Sequence, residues 1–246
     1  MRRIMIKVAY DGTNYCGWQV QPNGITIEEV LNRTLTKVLK EKIQIIGASR
    51  TDSGVHALGN IAVFDTKTNI PSEKIAAATN QRLPEDILII ESKEVEAGFH
   101  PRYTKSVKTY EYHIVNSSVK MPDKRLTNSF VSYKLDIENM KKAAKYLVGE
   151  HDFASFCSIR TNTEDTVRTV YEIEIQKKGE DISILITGNG FLYNMVRIIV
   201  GTLIRVGRGF YKPEEVKEIL EKRDRKAAGQ TAEAKGLFLV NIEYLK

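Results

Sequence analysis

Thr26-Ile27-Glu28-Glu29-Val30-Leu31-Asn32-Arg33-Thr34-Leu35-Thr36-Lys37-Val38-Leu39-Lys40 is the stretch on which the fold turns. Ile27, Val30, Leu31, Leu35, Val38 and Leu39 recur at the spacing of one helix face, and Thr26 is placed to cap that helix. Before it, residues 4–8 alternate as a strand. After it come strands at 43–46 and 61–64 flanking a glycine-containing loop, then a helix at 71–82 and a strand at 87–95. The order βαββαβ is that of the split βαβ, ferredoxin-like motif.

The same order starts again at Lys108, with a strand through 115, a helix at 136–148, and strands at 170–175 and 182–187. Helical segments follow from Leu192 and Pro213, and a last strand covers 237–244. The expected class is α+β: two ferredoxin-like subdomains, 1–105 and 106–246, joined through an extended antiparallel sheet. Residues 116–134 and 158–166 read as connecting loops, either facing a ligand or merely solvated.

At 246 residues, with 42% hydrophobic and 28% charged residues, the chain has the composition of a globular protein with a sizeable core. Arg197 and Arg205 interrupt the longest apolar run short of the roughly 20 residues of a membrane span, so no membrane partner is expected. The opening residues lack a signal-peptide pattern, and the expected location is the cytoplasm. Two distant cysteines, Cys16 and Cys157, and four scattered histidines give neither a disulfide framework nor a metal set. A net charge of +6 favours a polyanionic partner or is a basic bias of the surface; charge alone does not choose.

Chemistry concentrates in Ser49-Arg50-Thr51-Asp52-Ser53-Gly54-Val55-His56. A carboxylate in a loop between Gly47 and Gly54 can act as nucleophile or general base. The competing reading is a turn in which Asp52 bonds its own backbone through an Asx-type contact, and by spacing alone that reading is the stronger. Arg197 sits on a helix almost without a polar face, so it is expected to be buried and to meet a carboxylate, Asp52 being a candidate; the alternative is that it reaches solvent or pairs elsewhere. Residues 99–113 interleave aromatics and bases, a composition suited to an unpaired nucleotide, and Tyr110 and Tyr112 share one strand face. Packing of those tyrosines on a core face, with lysines out, is by pattern alone the slightly stronger reading. Trp18, in the turn after the first strand, reads first as a core plug.

Taken in order, these residues resemble the tRNA pseudouridine synthase A (TruA) family along nearly the whole chain. The carriers are Tyr10-Asp11-Gly12 with Gly17-Trp18-Gln19, Arg50 to Ala57, Leu83-Pro84 with Asp86-Ile87, and Phe99-His100 with Arg102. Further along stand Lys108 with Tyr110 and Tyr112, Gly190-Phe191-Leu192 with Met195-Val196-Arg197, Val200 to Leu203, and Gly236-Leu237 with Leu239. The resemblance implies isomerisation of uridine to pseudouridine in the tRNA anticodon stem-loop, without cofactor or metal, usually by a homodimer with its active cleft between the two halves. It implies Asp52 as the catalytic aspartate, Arg197 as its paired arginine and Arg50 as an aid to extruding the nucleotide. Tyr110 is the tyrosine that stacks on the target base, and Tyr112, Arg102 and His56 are further expected substrate contacts. Ser49 stands where the family usually has glycine, which puts the loop's backbone conformation in question; Ser53, Pro101, Gln230 and Glu233 are lesser departures.

A non-catalytic RNA-binding or RNA-folding protein is the alternative from a different class, motivated by the basic charge and paired ferredoxin-like units. A hydrolase using two carboxylates is weaker, because no second acid accompanies Asp52 in its loop.

Overall fold

The computed structural model describes residues 1–158 and 165–245. Among these, no helix is long and apolar enough to cross a membrane. The chain forms two compact units, Met1–Ser106 with Phe238–Lys246, and Val107–Leu237.

In the first unit, strand β1 (Arg2–Tyr10) buries every second residue, Ile4, Ile6, Val8 and Tyr10, as a half-covered strand must. Helix α1 (Ile27–Leu39) buries Ile27, Val30, Leu31, Leu35 and Leu39, each burial contributing about 1.5–3 kcal/mol. Thr26 caps it, its hydroxyl accepting from the Glu29 amide at 3.3 Å. The strand expected at 43–46 is reduced to β2 (Ile46–Gly47). The reason is local: side chains of α1 capture the amides a strand would use, Ile43 donating to Thr36 Oγ1 (3.0 Å) and Ile45 to Asn32 Oδ1 (2.8 Å).

Strand β3 (His56–Thr66), longer than the expected 61–64, follows the loop. The helix expected at 71–82 is a 3-10 turn (Ser72–Lys74) leading into α2 (Ile75–Asn80), and β4 (Ile87–Val95) covers the expected residues. The order β4-β1-β3 with β2 on β3 is that of the ferredoxin-like sheet. Between Val8 and Tyr10 the register slips from Asn60 to Ala57, so β3 carries an extra residue beside the loop.

The second unit opens with β5 (Ser106–Asn116). The 116–134 connection, expected as a loop, contains a 3-10 turn (Pro122–Lys124) and a short strand β6 (Ser129–Val131) running parallel to β5. Asn116 holds it, its Nδ2 donating to the carbonyls of Val131 (2.9 Å) and Tyr133 (2.7 Å). Helix α3 (Ile137–Lys145) is capped by Asp136, which accepts from the Asn139 amide at 3.0 Å. Strand β7 (Gly149–Asp152) had no apolar alternation to announce it.

Strands β8 (Val167–Lys178) and β9 (Asp181–Gly188) extend the predicted pair at both ends, and helices α4 (Met195–Gly207) and α5 (Glu215–Lys222) follow. The sheet order is β5-β9-β8-β7. Of the loop expected at 158–166, residues 159–164 lie outside the described residues. The last strand, β10 (Leu237–Tyr244), pairs parallel to β3, Phe238 opposite His56 and Leu239 opposite Ala57. The sequence reading groups it with the second half; it completes the first unit.

Candidate active site

The loop 48–55 is held from several directions. Asn60 Nδ2 donates to the Ser49 carbonyl at 3.0 Å, and the Tyr10 hydroxyl meets Thr51 Oγ1 at 2.7 Å. The Trp18 amide donates to the Thr51 carbonyl at 3.1 Å. Tyr15 receives two donors on its carbonyl, the Gly54 amide (3.3 Å) and the Ser53 hydroxyl (3.2 Å). Its own hydroxyl donates to Asp86 Oδ1 at 2.6 Å. Burial first, then that carboxylate partner, raises the Tyr15 phenol well above its usual range, so it stays a donor. Asp86 therefore reaches the loop through Tyr15.

Within the loop the Val55 amide donates to the Asp52 carbonyl at 3.1 Å, closing a turn in which Gly54 takes φ +77°. The Gly54 amide, which an Asx turn at Asp52 would use, goes to Tyr15 instead. Positive φ thus falls on Gly54. Ser49 is not among the positive-φ residues, so serine in place of the family's glycine costs this loop nothing in backbone strain. Gly12 is the closest approach: a Cβ there would lie 2.0 Å from the Val55 carbonyl oxygen. Asp52 itself is half-buried and Arg50 exposed.

His56 is buried, at 1% exposure. Its Nδ1 accepts from the Gly12 amide at 3.2 Å and stands 3.1 Å from Asp11 Oδ1, and its ring stacks on Phe238 at 4.6 Å. One nitrogen cannot accept from the amide and donate to the carboxylate at once, so the two contacts are alternatives set by the ring's tautomer. Burial pushes the Asp11 carboxyl up, but the Thr13 hydroxyl and amide and the His56 ring outweigh it and hold the group below its usual range. His56 was expected as a substrate contact; its position is that of a support for the loop.

Arg102 is exposed and ties its segment to the loop's start, Nε donating to the Gly47 carbonyl at 2.8 Å. Burial of part of its guanidinium and the nearby Arg50 charge lower its pKa. Trp18 is fully buried, with its ring 5.9 Å from that of Tyr10, as a core plug should be.

In the second unit, Tyr110 and Tyr112 share the buried face of β5. Tyr110 meets Phe191 edge to face at 5.3 Å, and Tyr112, at 0% exposure, donates its hydroxyl to the Glu233 carbonyl at 2.8 Å. Burial pushes the Tyr112 phenol up to about 12. The core-packing reading holds for Tyr112, expected also as a substrate contact. Arg197 is half-buried rather than buried: Nε donates to the Ala232 carbonyl (2.8 Å) and a terminal nitrogen to Asn194 Oδ1 (2.9 Å). Asn194, in left-handed backbone at φ 62°, thereby starts α4 and orients its arginine. Sequence reasoning assigned no supporting role to Tyr10, Tyr15, Asn60 and Asp86, because each acts through a contact 11 or more residues along the chain; Asn194 was passed over although its contact with Arg197 is local. Among the described residues no three His, Cys, Asp or Glu side chains gather as a metal set would.

The sequence profile of a family described as tRNA pseudouridine synthase matches residues 6–104 and 143–245. The chain is 51% identical over 244 residues to the "tRNA pseudouridine synthase A" of Thermoanaerobacter sp. (strain X514), covering 99% of this chain and 100% of that protein. It is 47% identical to the protein of that name from Brevibacillus brevis, again over 99% of this chain and 100% of the relative.

Proposed function

This chain belongs to the tRNA pseudouridine synthase family and isomerises uridine to pseudouridine in tRNA; we propose that its targets lie in the anticodon stem-loop and that Asp52 is the catalytic residue. The observation that supports this assignment is the Asp52 loop: its backbone is bonded at Ser49, Thr51, Asp52 and Gly54, while the carboxylate stays half-exposed. A rigid backbone carrying a partly accessible carboxylate is what a positioned nucleophile or base needs.

The reaction breaks the bond between C1′ and N1, turns the uracil, and joins C5 to C1′. The proton on C5 leaves and N1 gains one, so no atoms are lost or added. Attack on C1′, attack on C6 and removal of a ribose proton each use the same carboxylate. Arg197 and Arg50 are proposed as the cations of the reaction, Arg102 as a phosphate contact, and Tyr110 as the ring that stacks on the free base. His56 and Tyr112 support these groups from the core. The enzyme is further proposed to act as a homodimer in the cytoplasm.

Mapping pseudouridine in unmodified tRNA after incubation with the protein tests the reading. Product at anticodon stem-loop uridines is expected; product only elsewhere would contradict the site assignment. Tyr110→Ala is expected to slow the single-turnover rate by about 10- to 100-fold, the worth of one base stack. tRNA affinity should fall by less than about threefold, since phosphate contacts dominate binding. Equal losses in rate and affinity would contradict a stacking role.

A further inference from the structure

Helix α4 carries Arg197 in its first turn and ends in a second arginine group that the reaction does not use. Arg205 lies in its last turn, and Arg208, three residues on, is its C-cap. The Arg205 guanidinium lies 5.3 Å from the centre of the Phe210 ring and 5.2 Å from that of Tyr211; Arg208 lies 4.0 Å from Tyr133 and 4.8 Å from Phe210.

The backbone builds this arrangement. Gly209 takes φ +77°, its amide donating to the Val206 carbonyl (2.8 Å), while the Phe210 amide reaches back to the Arg205 carbonyl (2.9 Å). That is a Schellman ending, and it folds Phe210 over the residue that begins the helix's last turn, here Arg205. On the other side the Asp136 amide donates to the Gly207 carbonyl at 2.9 Å, pinning the segment that carries Tyr133 against the helix end.

Arginine in a last turn ordinarily balances the helix dipole. These two do something else as well. Among the described residues neither guanidinium makes an ion pair or a side-chain hydrogen bond; aromatic faces hold them, and the positions three and four residues away on the helix carry no acid. Two guanidiniums with unspent donors, set among rings that are themselves exposed (Phe210 56%, Tyr133 59%), match a phosphate flanked by an unpaired base. Carboxylate peptides would use the charge but not the exposed ring faces.

We infer that Arg205, Arg208, Phe210 and Tyr133 form a second RNA contact, which grips the tRNA backbone away from the target nucleotide. The inference rests on the reading that this chain acts on tRNA. At about 1.5 Å per residue, Arg208 stands roughly 16 Å along α4 from Arg197. The helix therefore fixes the spacing between the proposed reaction cation and this grip.

The test is equilibrium binding of a tRNA transcript across a salt series, together with single-turnover rates at saturating enzyme and sedimentation of each protein. For R205Q/R208Q, affinity near 0.1 M salt should fall about tenfold and the log–log salt slope by about 1.4–1.8, the loss of two phosphate contacts, with the saturated rate within about twofold. R205K/R208K should recover the slope, and F210L should weaken binding about threefold without changing it. Unchanged affinity and slope in R205Q/R208Q would overturn the inference. So would a lost saturated rate with affinity intact, or altered self-association with per-chain RNA affinity kept, which would make the patch a contact between copies. Wild-type protein that binds tRNA but makes no pseudouridine would fail the functional reading, while the affinity comparison would still decide the patch.

Discussion

Asp52→Asn is expected to lower the single-turnover rate of pseudouridine formation by on the order of 10⁴-fold, with tRNA binding retained within about threefold. Asparagine has the same shape and still accepts hydrogen bonds, but it carries no charge and is neither a nucleophile nor a base at neutral pH. The fold should persist, because the turn at residue 52 is closed by its backbone carbonyl, which the substitution leaves in place. Loss of binding in step with loss of rate would turn the result into one about folding, and a rate within tenfold of wild type would remove Asp52 from the chemistry.

Gly12→Ala is expected to be nearly as damaging by another route. Its new methyl would lie 2.0 Å from the Val55 carbonyl oxygen and 2.6 Å from the carbonyl carbon, both backbone atoms that cannot rotate aside. Either the first turn or the Asp52 loop must shift. We expect a stability loss of about 3 kcal/mol, at the upper end of overpacking costs, and a rate loss of about 10²-fold from misplacing Asp52 by about an ångström. Denaturant unfolding and single-turnover kinetics measure the two effects separately. Gly98→Ala, where a Cβ meets nothing within 4 Å, is the control and should match wild type in both. A Gly12→Ala protein as stable and fast as that control would show that the close contact does not hold the loop.

Much of the fold was legible because its signals are local. The apolar face of α1, its Thr26 cap and the alternation in β1 and β9 all lie within a few residues of what they determine. The failures are equally physical. Residues 43–46 have the composition of a strand, yet Thr36 and Asn32 of the preceding helix take two of their amides. Strand β6 forms because Asn116 binds carbonyls 15 and 17 residues later, which no periodicity reports. Gly149-Glu150-His151-Asp152 pairs as a strand with no apolar pattern.

At the proposed site, the loop around Asp52 stood out as a candidate, but the groups that hold it did not. Tyr10, Tyr15, Asn60 and Asp86 act over separations that only the folded chain closes. Burial was the other blind spot. Tyr112 and His56 lie in the packed interior, where the Tyr112 hydroxyl donates to the Glu233 carbonyl and the Gly12 amide meets the His56 ring.

The parallel pairing of β10 with the start of β3 has a bearing on how the chain is made. The whole second unit is translated between the body of the first and the strand that finishes it. At elongation rates of about 5–20 residues per second, that delay is on the order of ten seconds. Throughout it, His56 lacks the Phe238 ring it stacks on, and the edge of β3 beside the Asp52 loop stays open. The nascent polypeptide thus completes the sheet beside the Asp52 loop only after the whole second unit has been made.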